Sequence, residues 1–465
     1  MKMCKISDDV IAAITTRGKI YEVGGAVRDR MLDRNPDVKD RDYLVCGIPF
    51  GELSRILGGY GEVDLVGRSF GVIKFTQRTA GGRCTFDVSL PRREYSIGVG
   101  HKDFSVSFDP ALSVEDDLRR RDFTINAMAV PLGEDRLIDP FGGRSDLEKR
   151  LIRMVSPKAF EEDPLRMLRA VQFAARFDFN LEETTEASIA ANAALIGSVS
   201  PERINEEFNK MLVRSERPSD GFRLMHQTGL LKHILPEVAA TVGVEQPGGY
   251  HAYDVFEHTL HTIDASPPVL HIRLAALFHD IAKPQTREIG ENKATFYGHE
   301  KIGARVAVKI LRRLRYSNEL IHRVATLVDR HMFTTDVTDK GRRRLIRRVG
   351  QDLIFGLLDL RRADIIAQGK GGSLDEVDDF EKEIREEIER RPPFKVKDLA
   401  VNGHDLMKAF DLEPSPLLGR ILNYLLETVL DHPEENERDR LIELAGQYLS
   451  NMNENDKINQ TTGDG

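Results

Sequence analysis

Two carboxylates one residue apart, Asp40-Arg41-Asp42, stand at the entry to the apolar run Tyr43 to Val45. On a strand, residues i and i+2 point to the same face. Carboxylates held side by side repel each other unless a cation sits between them. A pair of Mg²⁺ ions relieves the repulsion and supports in-line displacement at phosphorus, one activating the attacking hydroxyl and the other steadying the leaving group. Asp87, alternating with apolar neighbours in Phe86-Asp87-Val88-Ser89-Leu90, offers a third carboxylate. A solvated turn after Lys39 would use the first two equally well. Upstream, Tyr21-Glu22-Val23 runs into Gly24-Gly25 and an amphipathic stretch, so backbone N–H groups at a helix start can face an anion. Arg28, one turn in, adds a charge-assisted contact to a triphosphate. A plain tight turn has the same sequence.

A second constellation lies further along: His258, the adjacent His279-Asp280, His299, His331 and Asp364. A lone histidine on a helix is usually packing or surface. An ordered set of imidazoles and carboxylates is the ligand set of a divalent-metal hydrolytic site, and His279-Asp280 can reach one ion from a helix end.

A third segment, Glu162-Asp163-Pro164-Leu165-Arg166, places a carboxylate and a guanidinium three residues apart at a helix start, where they can share a face. Aspartate before proline is also a good N-cap and N1 pair. The alternative is base reading. Cytosine presents N4–H₂ beside N3, and adenine N6–H₂ beside N1. A carboxylate acceptor next to a guanidinium donor matches both, whereas uracil and guanine present the reverse order. In Arg120-Arg121-Asp122 a carboxylate flanked by cations can accept ribose hydroxyls while an arginine holds phosphate.

These groups need rigid elements beneath them. From Lys19 to Val130 short apolar runs rich in β-branched and aromatic residues are broken by glycines, the pattern of a small mixed sheet. After Leu147 the spacing turns helical: Phe160, Leu165, Leu168, Val171 and Ala175 recur at three and four residues. Gln246-Pro247-Gly248-Gly249 and Gly369-Lys370-Gly371-Gly372-Ser373 look like linkers. The acidic run Asp375 to Glu389 is expected to be a solvated helix face. The basic run Arg342-Arg343-Arg344 with Arg347-Arg348 can be an RNA backbone contact or another solvated face. The polar end from Asn451 onward is expected to be disordered.

At 465 residues the chain calls for roughly three domains. Its 40% hydrophobic content supports packed cores, and a net charge of −8 excludes a polycation that coats nucleic acid indiscriminately. Cys4, Cys46 and Cys84, odd in number and widely spaced, fit neither a disulfide framework nor a thiolate zinc site, which makes a reducing cytoplasm the simplest setting. Neither a signal peptide nor a membrane span is expected.

The block GGAVRDRMLDRNPDVKDRDYLVCG at 24–47 resembles the catalytic motif of the class II CCA-adding enzymes and bacterial poly(A) polymerases. Further blocks follow in that family's order: DDLRRRDFTINAMAV at 116–130, DPFGG at 139–143, FEEDPLRMLRAVQFAARF at 160–177 and SPERINEEFNKML at 200–212. The resemblance implies catalytic roles for Asp40, Asp42 and Asp87, with Mg²⁺ on the first two. It implies nucleotide binding by Gly24, Gly25, Arg28, Arg121, Asp122, Asn126, Asp163, Arg166 and Arg169. Asp122 with Asn126 would read ribose, and Asp163 with Arg166 the base. The paired glycines of 139–143 would act as a hinge, and the 200–212 block as a support helix. The loop between Arg93 and Val114, which that family ties to the switch from C to A, has its full length.

The histidine set resembles the HD phosphohydrolase superfamily. That implies a divalent transition metal or Mg²⁺ on His258, His279, Asp280 and Asp364, with His299 and His331 holding a second ion or the substrate phosphate, and Lys283 as a further phosphate candidate. An HD domain here argues against a poly(A) polymerase.

The expected fold is therefore α+β, a small mixed-sheet nucleotidyltransferase head followed by an extended helical body that includes the HD domain. The expected division is a head over 1–142, a helical neck and RNA-binding region over 143–245, the HD domain over 246–371, a helical C-terminal region over 372–452 and a tail over 453–465. The expected activity is addition of CCA to tRNA from CTP and ATP. The alternatives are an A-only enzyme with a CC-adding partner, and an HD phosphohydrolase with an inactive head.

Overall fold

The computed structural model describes residues 5–33, 41–66, 71–79, 82–96, 104–247, 252–289, 294–390 and 392–461. They form two compact units, residues 1–242 with 310–317, and residues 243–309 with 318–465.

The first unit is built on strands β1 (Lys19–Val23), β2 (Asp42–Cys46), β3 (Glu62–Val66), β4 (Val72–Thr79), β5 (Gly82–Ser89), β6 (Arg92–Ser96), β7 (Phe104–Phe108) and β8 (Ala129–Pro131). Six of them make one mixed sheet in the order β3-β4-β5-β2-β1-β8, and β6 pairs with β7 separately. Within this sheet, among the described residues, only β2 and β5 run parallel; β1 is antiparallel to β2 and to β8. Alternation sorts the side chains onto two faces. Tyr43, Val45, Phe75, Phe86 and Val88 bury one face with residues of the helices Asp8–Thr15 and Phe50–Gly58. Leu44, Val23 and Ala129 bury part of the other with Val114 and Leu118. Asp42 shares a face with Leu44, so its carboxylate falls outside the larger core.

Beyond the sheet the helix Leu165–Phe177 is buried along most of its length and packs on Pro201–Arg214 and Pro218–Gln227. Gly142 takes a left-handed conformation and Gly143 opens the next helix, while Asp139 accepts from the backbone N–H of Gly143 at 2.7 Å and of Arg144 at 2.9 Å. A Cβ on Gly143 would lie 2.2 Å from the Thr124 carbonyl oxygen. The paired glycines thus serve a capped helix start and a close backbone approach, where a hinge was expected.

In the second unit the helices Val255–Ala265, Leu270–Phe278, Asn318–Arg330 and Ile354–Ala367 pack on one another. Further helices follow at Asp339–Val349, Asp375–Glu389, Gly403–Phe410, Pro416–Asp431 and Arg438–Thr461. The last runs through Thr461, past Asn453 where a disordered tail was expected; once Leu441, Leu444 and Ala445 are buried, each added residue gains a backbone bond. The basic run also differs from an RNA contact. Arg342 pairs with Glu383, Arg343 with Glu387, Arg344 with Asp431 and Arg347 with Glu427, so its charges tie one helix to its neighbours. Cys84 is disulfide-bonded, against the expectation from spacing, because distance along the chain does not limit proximity in the fold. Cys46 is a free thiol, and burial pushes it up to about 12. Among the described residues no helix is long and apolar enough to cross a membrane.

Candidate nucleotide and metal sites

The strand register lines up the first site. Val23 faces Asp42 across β1 and β2, and Asp42 faces Asp87 across the parallel pair β2 and β5. Gly24 follows Val23 at once with φ +72°, and a Cβ there would sit 2.6 Å from the Arg121 guanidinium, so the turn requires glycine. Asp42 and Asp87 line a cleft of about 460 Å³ with Gly25, Arg28, Arg121, Asp122, Asn126 and Arg169. Asp40 lies outside the described residues. Two carboxylates on neighbouring strands opening on one cleft form an oxygen donor set that suits Mg²⁺ and that a divalent cation would relieve of its repulsion.

Four of the nucleotide-binding candidates, Arg28, Asn126, Asp122 and Arg169, form one hydrogen-bonded chain. Arg28, 5% exposed, has its guanidinium 4.6 Å from the Phe177 ring centroid and donates to Asn126 Oδ1 at 2.6 Å. Asn126 Nδ2 donates to Asp122 Oδ1 at 3.0 Å. Arg169 donates to Asp122 Oδ2 through Nε at 2.9 Å and Nη2 at 2.7 Å, and through Nη1 to Glu207 Oε1 at 3.2 Å, where Lys210 also donates at 2.7 Å. Burial alone would raise the Asp122 carboxyl, but the Arg169 charge and the Asn126 and Arg169 hydrogen bonds hold it at about 2. Asp122 is therefore an anion set between an amide and a guanidinium.

Asp163 and Arg166 share a pocket of about 230 Å³ with Arg120, Arg121, Asp122 and Arg169. Asp163 accepts from Leu165 N at 3.2 Å, the local helix-start contact, and also from Arg203 at 2.9 Å. Arg166 donates to the Arg120 carbonyl at 2.8 Å and to Glu162 at 3.3 Å. A helix-start hydrogen bond and a pocket position are thus combined in one carboxylate.

Sequence reasoning missed Arg203, Glu207, Lys210 and Arg214, because the 200–212 block was read as support. Arg203 contacts Asp163, Glu207 and Lys210 contact the Asp122 chain, and Arg214 lines the larger cleft. Their signal was a polar stripe at i, i+4, i+7 and i+11 of one helix. Gln172 and Arg176, also lining the cleft, lie three and seven residues after Arg169.

The second constellation comes together in the second unit. His258, His279 and Asp364 form one group of potential ligands, and Asp280, His299 and His331 another, with ligand atoms inside each within 4.8 Å. The Nδ1 atoms of His258, His279, His299 and His331 face the carbonyls of Ala367, Ala276, Phe296 and Val328 at 3.3, 2.7, 2.7 and 2.8 Å. A proton on each Nδ1 leaves the Nε2 lone pairs pointing inward. Those of His258 and His279 meet at 3.3 Å, and those of His299 and His331 at 3.1 Å. Facing lone pairs repel without a proton or a cation between them, and burial with neighbouring His279 pushes His331 down to about 3. The donor set thus fits divalent metal. Asp280 was expected with the first group, but it lies between the two, Oδ2 at 3.2 Å from His279 and Oδ1 at 3.3 Å from His299. Lys283 Nζ is 2.6 Å from Asp280 Oδ2.

Family patterns match in three places. The poly A polymerase head domain matches residues 20–153, the RNA and SrmB-binding site of polymerase A residues 178–241, and tRNA nucleotidyltransferase domain 2 residues 296–445. The A-adding tRNA nucleotidyltransferase of Deinococcus radiodurans is 36% identical over 68% of this chain and 75% of its own length. The chain belongs to the tRNA nucleotidyltransferase and poly(A) polymerase family.

The CC-adding tRNA nucleotidyltransferase of Thermus thermophilus is 33% identical over 88% of both chains. The structure of the Bacillus stearothermophilus CCA-adding enzyme in complex with CTP aligns over 96% of this chain and 97% of its own, with a TM-score of 0.69 and 24% identity, which shows a shared fold of mixed-sheet head and helical body. Within this nucleotidyltransferase family the head match encloses Asp42, Asp87 and Asp122. The match to tRNA nucleotidyltransferase domain 2 encloses His299, His331 and Asp364 but begins after His258 and His279. These relatives add A, CC and CCA respectively, so similarity alone leaves the product open.

Proposed function

We propose that this chain extends the 3′ end of tRNA without a nucleic-acid template, building CCA from CTP and ATP. The observation that carries the reading is the join between two pockets: Asp42 and Asp87 open on the cleft that holds Asp122 and Arg169, and the same Asp122 and Arg169 line the pocket of Asp163 and Arg166. A nucleotide laid across both would put its base at Asp163 and Arg166, its ribose by Asp122 and Asn126, and its phosphates toward Arg28, Arg121 and the carboxylates. Mg²⁺ held by Asp42 and Asp87, with Asp40 as a further ligand, would activate the 3′-hydroxyl and stabilise the departing pyrophosphate. Asp163 accepts from the exocyclic amine and Arg166 donates to the ring nitrogen, which admits C and A alone.

The reading includes terminal A addition, supported by the paired strands β6 and β7 within the loop that the family ties to the C-to-A switch; residues 97–103 of that loop lie outside the described residues. The A-only alternative draws support from the Deinococcus relative. Incubation with tRNA ending at the discriminator base, at C and at CC, with one labelled nucleotide at a time, separates the two. CTP uptake on the first two substrates supports full CCA addition, and ATP uptake on the third alone supports A-only addition. A cytoplasmic setting belongs to the same proposal. The finer division into head, neck over 143–245, HD domain over 246–371 and C-terminal region over 372–452 belongs to the same proposal.

A second activity, metal-dependent phosphohydrolysis of the HD type, is favoured by the inward-facing imidazoles of His258, His279, His299 and His331 around Asp280. A bound divalent metal would supply an activated water there. Lys283 and Arg361, both lining the pocket, are placed to hold a phosphate. Assays on RNA ends carrying 2′,3′-cyclic or 2′-phosphate, with Mg²⁺, Mn²⁺ or Ni²⁺, test it against the double variant His279→Ala with Asp280→Ala. Nucleotide addition should persist in that variant while phosphate release is lost. No release by the wild type above that background would leave the cluster a structural role. The intact Asp42, Asp87 and Asp122 cleft weighs against an inactive head.

A further inference from the structure

Gln172 stands out among the buried polar groups of the head cleft. Its side chain lies on the helix Leu165–Phe177, three residues after Arg169, is 1% exposed, and lines the cleft that also holds Asp42 and Asp87. Among the described residues neither its Oε1 nor its Nε2 has a hydrogen-bond partner. A buried carboxamide with both ends unmet is costly, and native proteins keep such a group where something else completes it. With both polar atoms closed to solvent, the amide would turn toward the cleft to meet a ligand there.

The chemistry of the amide narrows what that ligand is. It offers one acceptor and one donor side by side. Phosphate oxygens only accept, so a phosphate would satisfy Nε2 and leave Oε1 buried and unmet. A hydroxyl both donates and accepts, and the paired 2′- and 3′-hydroxyls of a ribose satisfy both ends. We infer that Gln172 is a ribose-hydroxyl receptor in the transfer site, one that makes the reaction selective for RNA over DNA chemistry. The inference rests on the transferase reading above. Two riboses can supply the hydroxyls, that of the RNA's terminal nucleotide and that of the incoming nucleotide.

The test compares kcat/KM for ribo and 2′-deoxy forms in two arms: tRNA ending in ribo-C or 2′-deoxy-C, and CTP against dCTP. Gln172→Met keeps length and helix packing but removes both polar atoms. Its ribo-to-deoxy preference should fall about five- to tenfold in one arm, the size of one or two neutral hydrogen bonds, and the arm affected identifies the ribose. Its melting temperature should stay level or rise, since an unmet buried amide has been replaced by an apolar group. Gln172→Asn, which draws the amide back by one methylene, should show the same loss of preference and covers the case in which the methionine variant does not fold. Unchanged preference in both arms with active variants would overturn the assignment. Failure of the wild type to incorporate any nucleotide would instead overturn the transferase reading on which it stands.

Discussion

Replacement of Asp163 by asparagine separates the two roles that this residue combines. The amide oxygen can still accept from Leu165 N, now at 3.2 Å, so the helix start survives. The ion pair with Arg203, at 2.9 Å and partly exposed on both sides, loses its charge, which should cost about 1 kcal/mol and lower the melting temperature by roughly 2–4 °C. At the base the change is larger. If the carboxylate accepts from the exocyclic amine of C and A, the amide NH₂ turned toward that amine sets donor against donor. Losing one charge-assisted hydrogen bond, worth about 1.5–3 kcal/mol, should lower kcat/KM for CTP and ATP roughly 10- to 150-fold. The same NH₂ can donate to uracil O4, so UTP should gain relative to CTP. The assay is single-nucleotide addition to tRNA with each of the four nucleotides, beside a thermal melt. Parental rates with CTP and ATP and parental exclusion of UTP, with stability alone reduced, would refute base reading and leave Asp163 as a cap tied to Arg203.

Asp42→Ala should abolish incorporation of CTP and ATP while leaving the melt nearly unchanged, because Asp42 lines the cleft and not a core; near-normal incorporation would remove it from the metal site. Asp122 is held at about 2 against an ordinary 3.8, so its stabilising contribution is complete above about pH 4 and lost as pH falls through about 2. The wild type should accordingly lose about 2 kcal/mol more than Asp122→Asn over that window in urea unfolding, and equal losses would argue against the pairing with Arg169. Arg343→Met leaves the Glu387 carboxylate, 1% exposed, paired with the half-exposed Arg390 at 3.2 Å but without its buried guanidinium, and should destabilise the protein by about 1.5–3 kcal/mol without weakening tRNA binding; a loss of tRNA affinity at unchanged stability would restore the RNA-contact reading of the basic run.

Much of the site was legible because its signals are local. The alternation in Phe86-Asp87-Val88 placed Asp87 on a strand, the glycine pair after Val23 marked a turn, and the ordered histidines named a set of potential metal ligands that the fold then gathered. Asp163-Pro164 was read as an N-cap and N1 pair or a base reader; in the structure Pro164 stands at the cap position of the helix, while the Asp163 carboxylate accepts from Leu165 N and lines the pocket. The stripe Arg203, Glu207, Lys210 and Arg214 was equally visible as spacing, but spacing cannot say what a polar face meets.

By itself the sequence determined which residue types could do chemistry, the strand and helix texture around them, and the family motifs in their order, since these depend on periodicity and on neighbours within a few residues. Only the tertiary structure decided that Asp42 stands opposite Asp87, that Arg169 occupies Asp122 from 47 residues away, that Arg343 pairs with Glu387 at a separation of 44, and that Gln172 is buried without a partner among the described residues. Strand register and ion-pair choice are set by contacts between segments far apart in the chain, where many pairings satisfy local rules and the packing of the two cores selects one.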